Sequence, residues 1–550
     1  MNKRFIAGLI AGVMITSLSG CGMSQVSNGS SNYSGDLSSS INNGTVSGFA
    51  PGFATNDGYS SNKSYTDGMT SDWGTDYAEV EFNTERYKNN EENGFVSVKT
   101  SPLSTFGADV DVASYLKVKS MVNDMMQFPA SAVRLEEFVN YFEYDYMTPT
   151  DGEPFAVDTE IIDCPWNDDT LLLRVGVSTP KVDYESMPDM NVVLLVDVSG
   201  SMYGEDRLGL VVEGMKMLIE QFDANDKVSI VTYGSGSAIL LDGESGDNKD
   251  VIIEVLDNLE ASGGTNGADG IRDAYEVARD NYIDGGNNRV ILCTDGDLNI
   301  GISDPNELLK FVKKEKDKYN IFLSIMGVGY GNYNDETLEH LADKGDGNYT
   351  YASSLKDAKR AFVDNMAGTM LTVAKDAKFQ IEFNPTHIKG YRQLGYENRQ
   401  MAAEDFADDT KDGGEIGAGQ QVTVLYEIVP VDSEFNIGDV DLRYQNNEST
   451  GNSSDWMTVS VRYKEPTGNK SSLREFIIDE TDKVDEPSDS TKLAASVAEF
   501  AMLLTNSEYK GTSSYEHVLD TLGELDVRHN SDIRELMTFV EDSEYITPLE

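Results

Sequence analysis

The stretch Val192-Val193-Leu194-Leu195-Val196-Asp197-Val198-Ser199-Gly200-Ser201 decides the fold. Its first five residues are apolar without polar alternation, which is typical of a strand buried on both faces of a parallel sheet. The run ends at Asp197, and small polar residues follow at once. Because loops after the carboxyl ends of such strands line the ligand crevice of an open α/β sheet, this stretch predicts a central strand and a functional loop.

Apolar strands and helical segments alternate around that stretch, from residue 191 to about 370. This order predicts an α/β fold, a doubly wound and mostly parallel Rossmann-like sheet. Strands are predicted at 192–196, 228–233, 290–293, 321–328 and 349–351. Helices are predicted at 208–222, 250–259, 268–281, 305–319, 335–344 and 355–370. Residues 238–241 are predicted to form an edge hairpin with the preceding strand.

Strand-like segments without crossover helices lie on both sides of the α/β part. They occur at 154–178 and again at 378–383, 421–429, 440–444 and 456–463. Since they flank the α/β part, we expect them to pair, so that it is an insertion in a β-rich, sandwich-like region. Helical periodicity appears at 109–142 and from about 490 to the end.

The amino-terminal residues read as a targeting signal. Lys3 and Arg4 precede an apolar run of residues 5–18, which is typical of a secretory signal peptide. The sequence Leu18-Ser19-Gly20-Cys21 resembles the bacterial lipobox, which implies acylation of Cys21 and a protein anchored to the cell membrane on its extracytoplasmic face. An ordinary signal peptide with a cysteine near its cleavage site is the alternative.

The predicted organisation has five parts. Residues 1–20 are the signal peptide, and 21–98 are a disordered Ser/Gly/Asn-rich linker that begins with the lipidated cysteine. Residues 99–185 are an amino-terminal helical and β segment, 186–372 the α/β domain, and 373–550 a β-rich and then helical domain.

Composition excludes several classes of function. The 550 residues contain 43 Lys+Arg and 95 Asp+Glu, a net charge of −52, which repels the phosphate backbone of nucleic acids. A hydrophobic content of 39% excludes a polytopic membrane protein. Three cysteines do not make a disulfide-stapled scaffold, and the four histidines have no zinc-site spacing.

Side chains with carboxylate or hydroxyl oxygens occur in three loops, two of which follow predicted strands and one of which is rich in glycine. Asp197, Ser199 and Ser201 follow the first buried strand, Thr265 lies on a glycine-rich loop before a helix, and Asp295 follows the strand at 290–293. Carboxylates and hydroxyls without nitrogen or sulfur ligands suit a hard cation such as Mg²⁺.

Asp-x-Ser-x-Ser followed by Thr265 and Asp295 resembles a von Willebrand factor type A (VWA) domain with a metal-ion-dependent adhesion site (MIDAS). The resemblance implies Mg²⁺, with Mn²⁺ or Ca²⁺ as alternatives. It implies that Ser199, Ser201 and, on ligation, Thr265 bind the metal directly, and that Asp197 and Asp295 act largely through water. The remaining position would accept an Asp or Glu of a protein partner.

The flanking segments resemble one family of bacterial lipoproteins with a VWA domain. The residues that carry this are 102–106, 109–111 and 134–142 on one side and 396–399 and 412–419 on the other, so the resemblance covers nearly all of 100–550. It implies a carboxyl-terminal domain of unknown function.

The sequence therefore predicts a membrane-anchored binding protein without enzymatic activity. Two alternatives stay open: an envelope scaffolding or assembly factor with a structural metal, and a metal-dependent hydrolase, for which no general base is evident. The sequence leaves open whether Cys164 and Cys293 pair.

Overall fold

The computed structural model describes residues 91–108, 110–150, 152–182, 187–264, 268–296, 305–329, 335–411, 413–438, 454–466, 468 and 470–546. All of them belong to one unit, which spans Glu79–Glu550. The predicted signal peptide, Cys21, Thr265 and the strand predicted at 440–444 lie outside the described residues.

Strands account for the pattern of buried apolar runs. The central strands of the α/β part, Met190–Asp197, Asn287–Thr294 and Ile321–Val328, are buried at every position, whereas Asp455–Lys464 alternates between buried and half-buried positions. The strands are β1 Val96–Ser97, β2 Leu103–Gly107, β3 Ala156–Asp163, β4 Leu171–Ser178, β5 Met190–Asp197, β6 Lys227–Tyr233, β7 Ser237–Ser245, β8 Asn287–Thr294, β9 Ile321–Val328, β10 Tyr349–Ala352, β11 Thr372–Phe383, β12 Ile388–Leu394, β13 Gly414–Gly417, β14 Gln421–Pro430, β15 Asp455–Lys464 and β16 Ser471–Asp479.

Helices occupy the crossovers of the α/β part and both flanking regions. None of the helices in the described ranges is long and apolar enough to cross a membrane. They are α1 Ala113–Asn123, α2 Leu135–Asn140, α3 Leu208–Ile219, α4 Lys249–Asp257, α5 Ala268–Asp280, α6 Pro305–Tyr319, α7 Asp335–Lys344, α8 Leu355–Lys359, α9 Met366–Met370, α10 Asp489–Leu504, α11 Tyr515–Gly523 and α12 Ser531–Ser543.

A six-stranded sheet forms the α/β part, in the order β10-β9-β8-β5-β6-β7. All neighbours are parallel except β6 and β7, which form the predicted antiparallel edge hairpin. The doubly wound, mostly parallel fold is therefore confirmed. Because β5 is central, between β6 and β8, the loop after Asp197 lies in the middle of the carboxyl edge of the sheet.

Two antiparallel sheets, β1-β12-β14-β4-β3 and β13-β11-β15-β16, form the flanking region, and β2 adds to β11. Their facing side chains make one core that includes Leu173, Phe379, Tyr426 and Val459. Since β3 and β4 precede the α/β part and β14 follows it, the predicted pairing across the insertion is confirmed. The parts predicted as 99–185 and 373–550 thus share their sheets.

Three details correct the sequence predictions, and a fourth answers a question that the sequence left open. The linker does not extend to residue 98, because β1 pairs with β12 and Val98 is fully buried. The helix predicted at 355–370 is interrupted by a π-helical turn, Arg360–Asp364, whose Phe362 packs against Gly214. Strands β1, β2, β12, β13 and β16 were not predicted. Cys164 and Cys293 are both buried free thiols and do not pair.

A buried carboxylate joins three segments of the flanking region. Glu427 on β14 pairs with Arg392 on β12 at 3.1 Å, and both side chains are 1% exposed. It also accepts hydrogen bonds from Asn167 (2.7 Å) and Thr170 (2.8 Å). Removing one member of such a pair leaves an uncompensated buried charge, which is far more costly than losing a surface pair.

We expect Glu427→Ala to lower the free energy of unfolding by about 3–5 kcal/mol, since Arg392 keeps only the partly exposed Glu92 as an ion-pair partner and Asn167 and Thr170 lose their acceptor. Chemical denaturation of the purified protein measures this. The matched control is Arg474→Ala, which removes an exposed pair with Glu153 and should stay within about 1 kcal/mol of the parent. Equal losses of unfolding free energy in the two variants would contradict the stabilising role assigned to the buried Glu427–Arg392 pair.

Candidate metal site

The end of β5 presents the first half of the site. Asp197 is fully buried, and its Oδ1 accepts a hydrogen bond from the backbone N–H of Ser199 at 2.8 Å. The chain then makes a 3₁₀ turn, Gly200–Met202, which brings the hydroxyls of Ser199 and Ser201 to 2.9 Å from each other. The local motif thus gathers one carboxylate and two hydroxyls at the edge of the sheet.

The end of β8 supplies the second half. Because β8 runs parallel to β5, its last residue, Thr294, lies beside Asp197 and donates a hydrogen bond to its Oδ2 at 3.1 Å. The next residue, Asp295, is 4% exposed, and its Oδ1 has no hydrogen-bond partner among the described residues. An unsatisfied buried carboxylate oxygen is costly, and a cation would satisfy it.

The two carboxylates repel each other. Burial raises the pKa of the Asp197 carboxyl above its ordinary value, and the charge of Asp295 adds to this, whereas hydrogen bonds from Ser199 oppose it. Arg207 offsets part of the charge: its Nη1 lies 3.8 Å from Asp295 Oδ2 and donates to the carbonyl of Ser201 at 2.5 Å. One guanidinium against two buried carboxylates leaves room for a further positive charge.

The loop before Thr265 reaches the same edge. The N–H of Ser262 donates to the carbonyl of Val198 at 2.8 Å, and the N–H of Gly200 donates to the carbonyl of Gly263 at 3.1 Å. Thr265 itself lies outside the described residues. The contacts of Ser262 and Gly263 agree with the predicted convergence of the three loops.

This set fits a divalent cation with oxygen ligands. Within the described ranges, no group of three or more His, Cys, Asp or Glu side chains is placed to hold a metal; the candidate site combines two carboxylates with serine hydroxyls instead. Two carboxylates and two hydroxyls remain, a donor set that suits Mg²⁺ or Mn²⁺. Ser199, Ser201, Asp197 and Asp295 would hold the ion.

Sequence reasoning missed two residues of the site. Thr294 precedes Asp295 directly, and its position at a strand end was a usable signal. Arg207 carried no such signal, because it reaches Asp295 only through the fold.

Comparison with known proteins agrees with this geometry. The parallel sheet with carboxylate and hydroxyl loops at its carboxyl edge defines a VWA-domain protein, and the model of the von Willebrand factor type A domain matches residues 192–297. A model described as von Willebrand factor matches 81–174, and one described as the uncharacterized protein YfbK, C-terminal, matches 368–546.

The chain belongs to the YfbK family. The uncharacterized protein YfbK of Escherichia coli (strain K12) is 38% identical over 445 residues, which cover 79% of this chain and 76% of that protein. Among solved structures, a von Willebrand factor type A protein from Catenulispora acidiphila is 15% identical with a TM-score of 0.40, over 73% of this chain and 91% of that one. Proximal thread matrix protein 1 from the mussel byssus, described with a zinc-occupied MIDAS motif, is 21% identical with a TM-score of 0.27. The match covers 35% of this chain and 46% of that one.

A specific divalent cation should stabilise the protein. At a concentration of 100 times Kd, binding adds about 2.7 kcal/mol to the free energy of unfolding, a rise of about 2–4 °C in Tm if the α/β part melts as a unit. Calorimetry with chelator and then with Mg²⁺, Mn²⁺ or Ca²⁺ measures this. Asp197→Ala should abolish the rise, and equal shifts in both proteins would mean diffuse binding to an acidic surface.

Asp197→Asn separates the effect of the charge from that of the side-chain shape, both of which Asp197→Ala removes. It keeps the shape and the acceptor for the N–H of Ser199 while removing the charge. Since the folded-state pKa of Asp197 is raised, its charged form costs stability above that pKa, and the cost disappears as pH falls through it. In chelator at neutral pH the variant should therefore be at least as stable as the parent, with the difference shrinking on acidification. A less stable variant would contradict the proposed repulsion.

Proposed function

We propose that this protein is a membrane-anchored, extracytoplasmic binding protein that uses a MIDAS to bind a carboxylate of a protein partner. The proposal rests on one observation: two buried carboxylates, of Asp197 and Asp295, lie beside the hydroxyls of Ser199 and Ser201, which are within hydrogen-bond distance of each other. Gly200 is exposed and Ser201 half-buried, so a bound ion would keep a side open to a partner's Asp or Glu. Mg²⁺ is the proposed ion, with Mn²⁺ or Ca²⁺ as substitutes, and Thr265 the proposed additional ligand.

We propose a binding role rather than catalysis. Hydrolysis at a metal needs a general base beside the attacking water. Three of the four histidines have other neighbours: His387 stacks on Trp456, His517 contacts Glu499, and His529 contacts Asp526. None of these three contacts involves a residue of the candidate metal site.

Metal-dependent capture tests the proposal. The purified protein, immobilised in Mg²⁺, should retain a specific envelope protein that chelator releases, because the ion bridges the two chains. A column carrying Asp197→Ala should not retain it, while Cys164→Ser, a change at a buried thiol away from the site, should. Esterification of the partner's carboxyl groups should abolish retention.

Two outcomes would favour the alternatives. Retention that survives both chelator and Asp197→Ala, together with a metal effect on Tm, would indicate an assembly factor with a structural metal. Saturable turnover of an envelope ester, peptide or glycan that is lost in Asp197→Ala would indicate the hydrolase.

Membrane anchoring is tested separately. In cells, the parent should fractionate with membranes, because two or three acyl chains on Cys21 would anchor it stably. Cys21→Ser cannot be acylated, so after removal of the signal peptide it should appear in the soluble extracytoplasmic fraction. Labelling with a palmitate analogue should follow the same pattern. Membrane association that is unchanged in Cys21→Ser would refute the lipid anchor.

A further inference from the structure

A groove of about 1020 Å³ adjoins the candidate metal site. One wall is Met202–Leu208, which continues directly from the metal-site turn, and a second is the segment 259–261, which leads to the loop that carries Thr265. The residues after β10, Ser353 to Leu355, close the far side. Two walls of the groove thus continue along the chain from loops of the candidate metal site, and the rest is formed by α3, α4 and the segment after β10.

The groove has an apolar floor and two exposed apolar side chains. Met202, Leu208, Leu210 and Leu256 line it and are buried. Tyr203 is 82% exposed and Leu355 is 51% exposed. Exposed large apolar side chains at the edge of an apolar groove favour contact with a partner.

The rim of the groove is acidic. Five exposed carboxylates line it, against one ammonium, that of Lys216. Lys216 is already paired with Glu213 at 2.8 Å and with Asp257 at 2.5 Å. The remaining acids, Glu205, Asp206 and Glu260, stand on the two walls nearest to the metal site.

These charges conflict with the ligand that the metal site would take. A bound cation attracts a carboxylate, whereas the acids at the rim repel it at close range. A ligand satisfies both only if cationic side chains accompany its carboxylate. Glu205 and Asp206 are four and five positions after Ser201, at most about 18 Å between Cα atoms, so the cations must lie within about five positions of the acid in an extended segment.

We propose that the partner presents an extended segment in which one Asp or Glu is flanked by Lys or Arg and by an apolar side chain. The carboxylate reaches the metal, the cations meet Glu205, Asp206 and Glu260, and the apolar side chain lies on Tyr203 and Leu355. This inference rests on the proposed function, because it uses the same metal site. A second copy of this chain does not fit, since its net charge is −52.

Selection from random peptides displayed on phage tests the proposal. The purified protein is immobilised in Mg²⁺ at low salt, and bound phage are released by chelator. Peptides recovered from the parent should contain an acidic residue with Lys or Arg close by and an apolar residue. Glu205→Lys/Glu260→Lys should bind a selected basic peptide about tenfold more weakly, a difference that high salt reduces.

The matched control is Glu516→Lys/Asp520→Lys, which makes the same change of net charge at exposed positions of α11 and should bind as the parent does. Tyr203→Ser/Leu355→Ser tests the apolar contact and should also weaken binding. Chelator-released peptides without basic residues, or equal binding by both charge variants, would overturn the proposed partner and leave the metal site standing.

Failure of the proposed function itself looks different. It would show as an absence of chelator-released peptides from the parent, or as the same peptides from Asp197→Ala and from Ser199→Ala/Ser201→Ala. The second variant keeps Asp197, so a folding defect in Asp197→Ala does not decide the result.

Discussion

The turn at 417–420 holds both chain crossings between the antiparallel sheets and the α/β part. On the entry side, Thr179 donates through its N–H to the carbonyl of Gln420 and through its hydroxyl to that of Gly417. On the exit side, the N–H of Ala418 donates to the carbonyl of Leu371. A Cβ on Gly417 would lie 1.7 Å from the carbonyl oxygen of Gly368, so only glycine permits this approach. Because one turn holds entry and exit together, a domain as long as the α/β part can be inserted without separating β4 from β14.

The insertion carries its unfavourable charges at the carboxyl edge of its central strands. A fold that buries Asp197 beside Asp295 works against its own stability, since burial and the charge of Asp295 both raise the pKa of Asp197 and so oppose its ionisation. Ser199, Thr294 and Arg207 reduce this cost through hydrogen bonds and one opposite charge. They do not satisfy Asp295 Oδ1. Residual strain of this kind is common where a site awaits a ligand, and a divalent cation would convert the repulsion into attraction.

Local sequence predicted those features whose cause is local. Continuous apolar runs predicted the buried strands of the parallel sheet, and strand-end positions predicted Asp197, Ser199, Ser201 and Asp295. Features with distant causes were missed. The segment Ile388–Leu394 contains Arg392, which is buried with carboxylates that come from distant segments, Glu427 and Glu92. The π-helical turn in the helix predicted at 355–370 depends on the packing of Phe362 against Gly214. Arg207 likewise belongs to the site only through the fold.

Specificity in the proposed interaction comes from repulsion as much as from attraction. A metal ion alone would accept any exposed carboxylate, and most protein surfaces offer many. The acidic rim beside it raises the free energy of every ligand whose carboxylate stands among other acids, and it lowers that of a carboxylate accompanied by cations. Because Lys216 is paired with Glu213 and Asp257, it does not offset the charges of the other acids at the rim. Discrimination of this kind acts through charge at the rim, where Met202 and Tyr203 continue the chain from the metal-site turn, and it needs no change in the shape of the metal site.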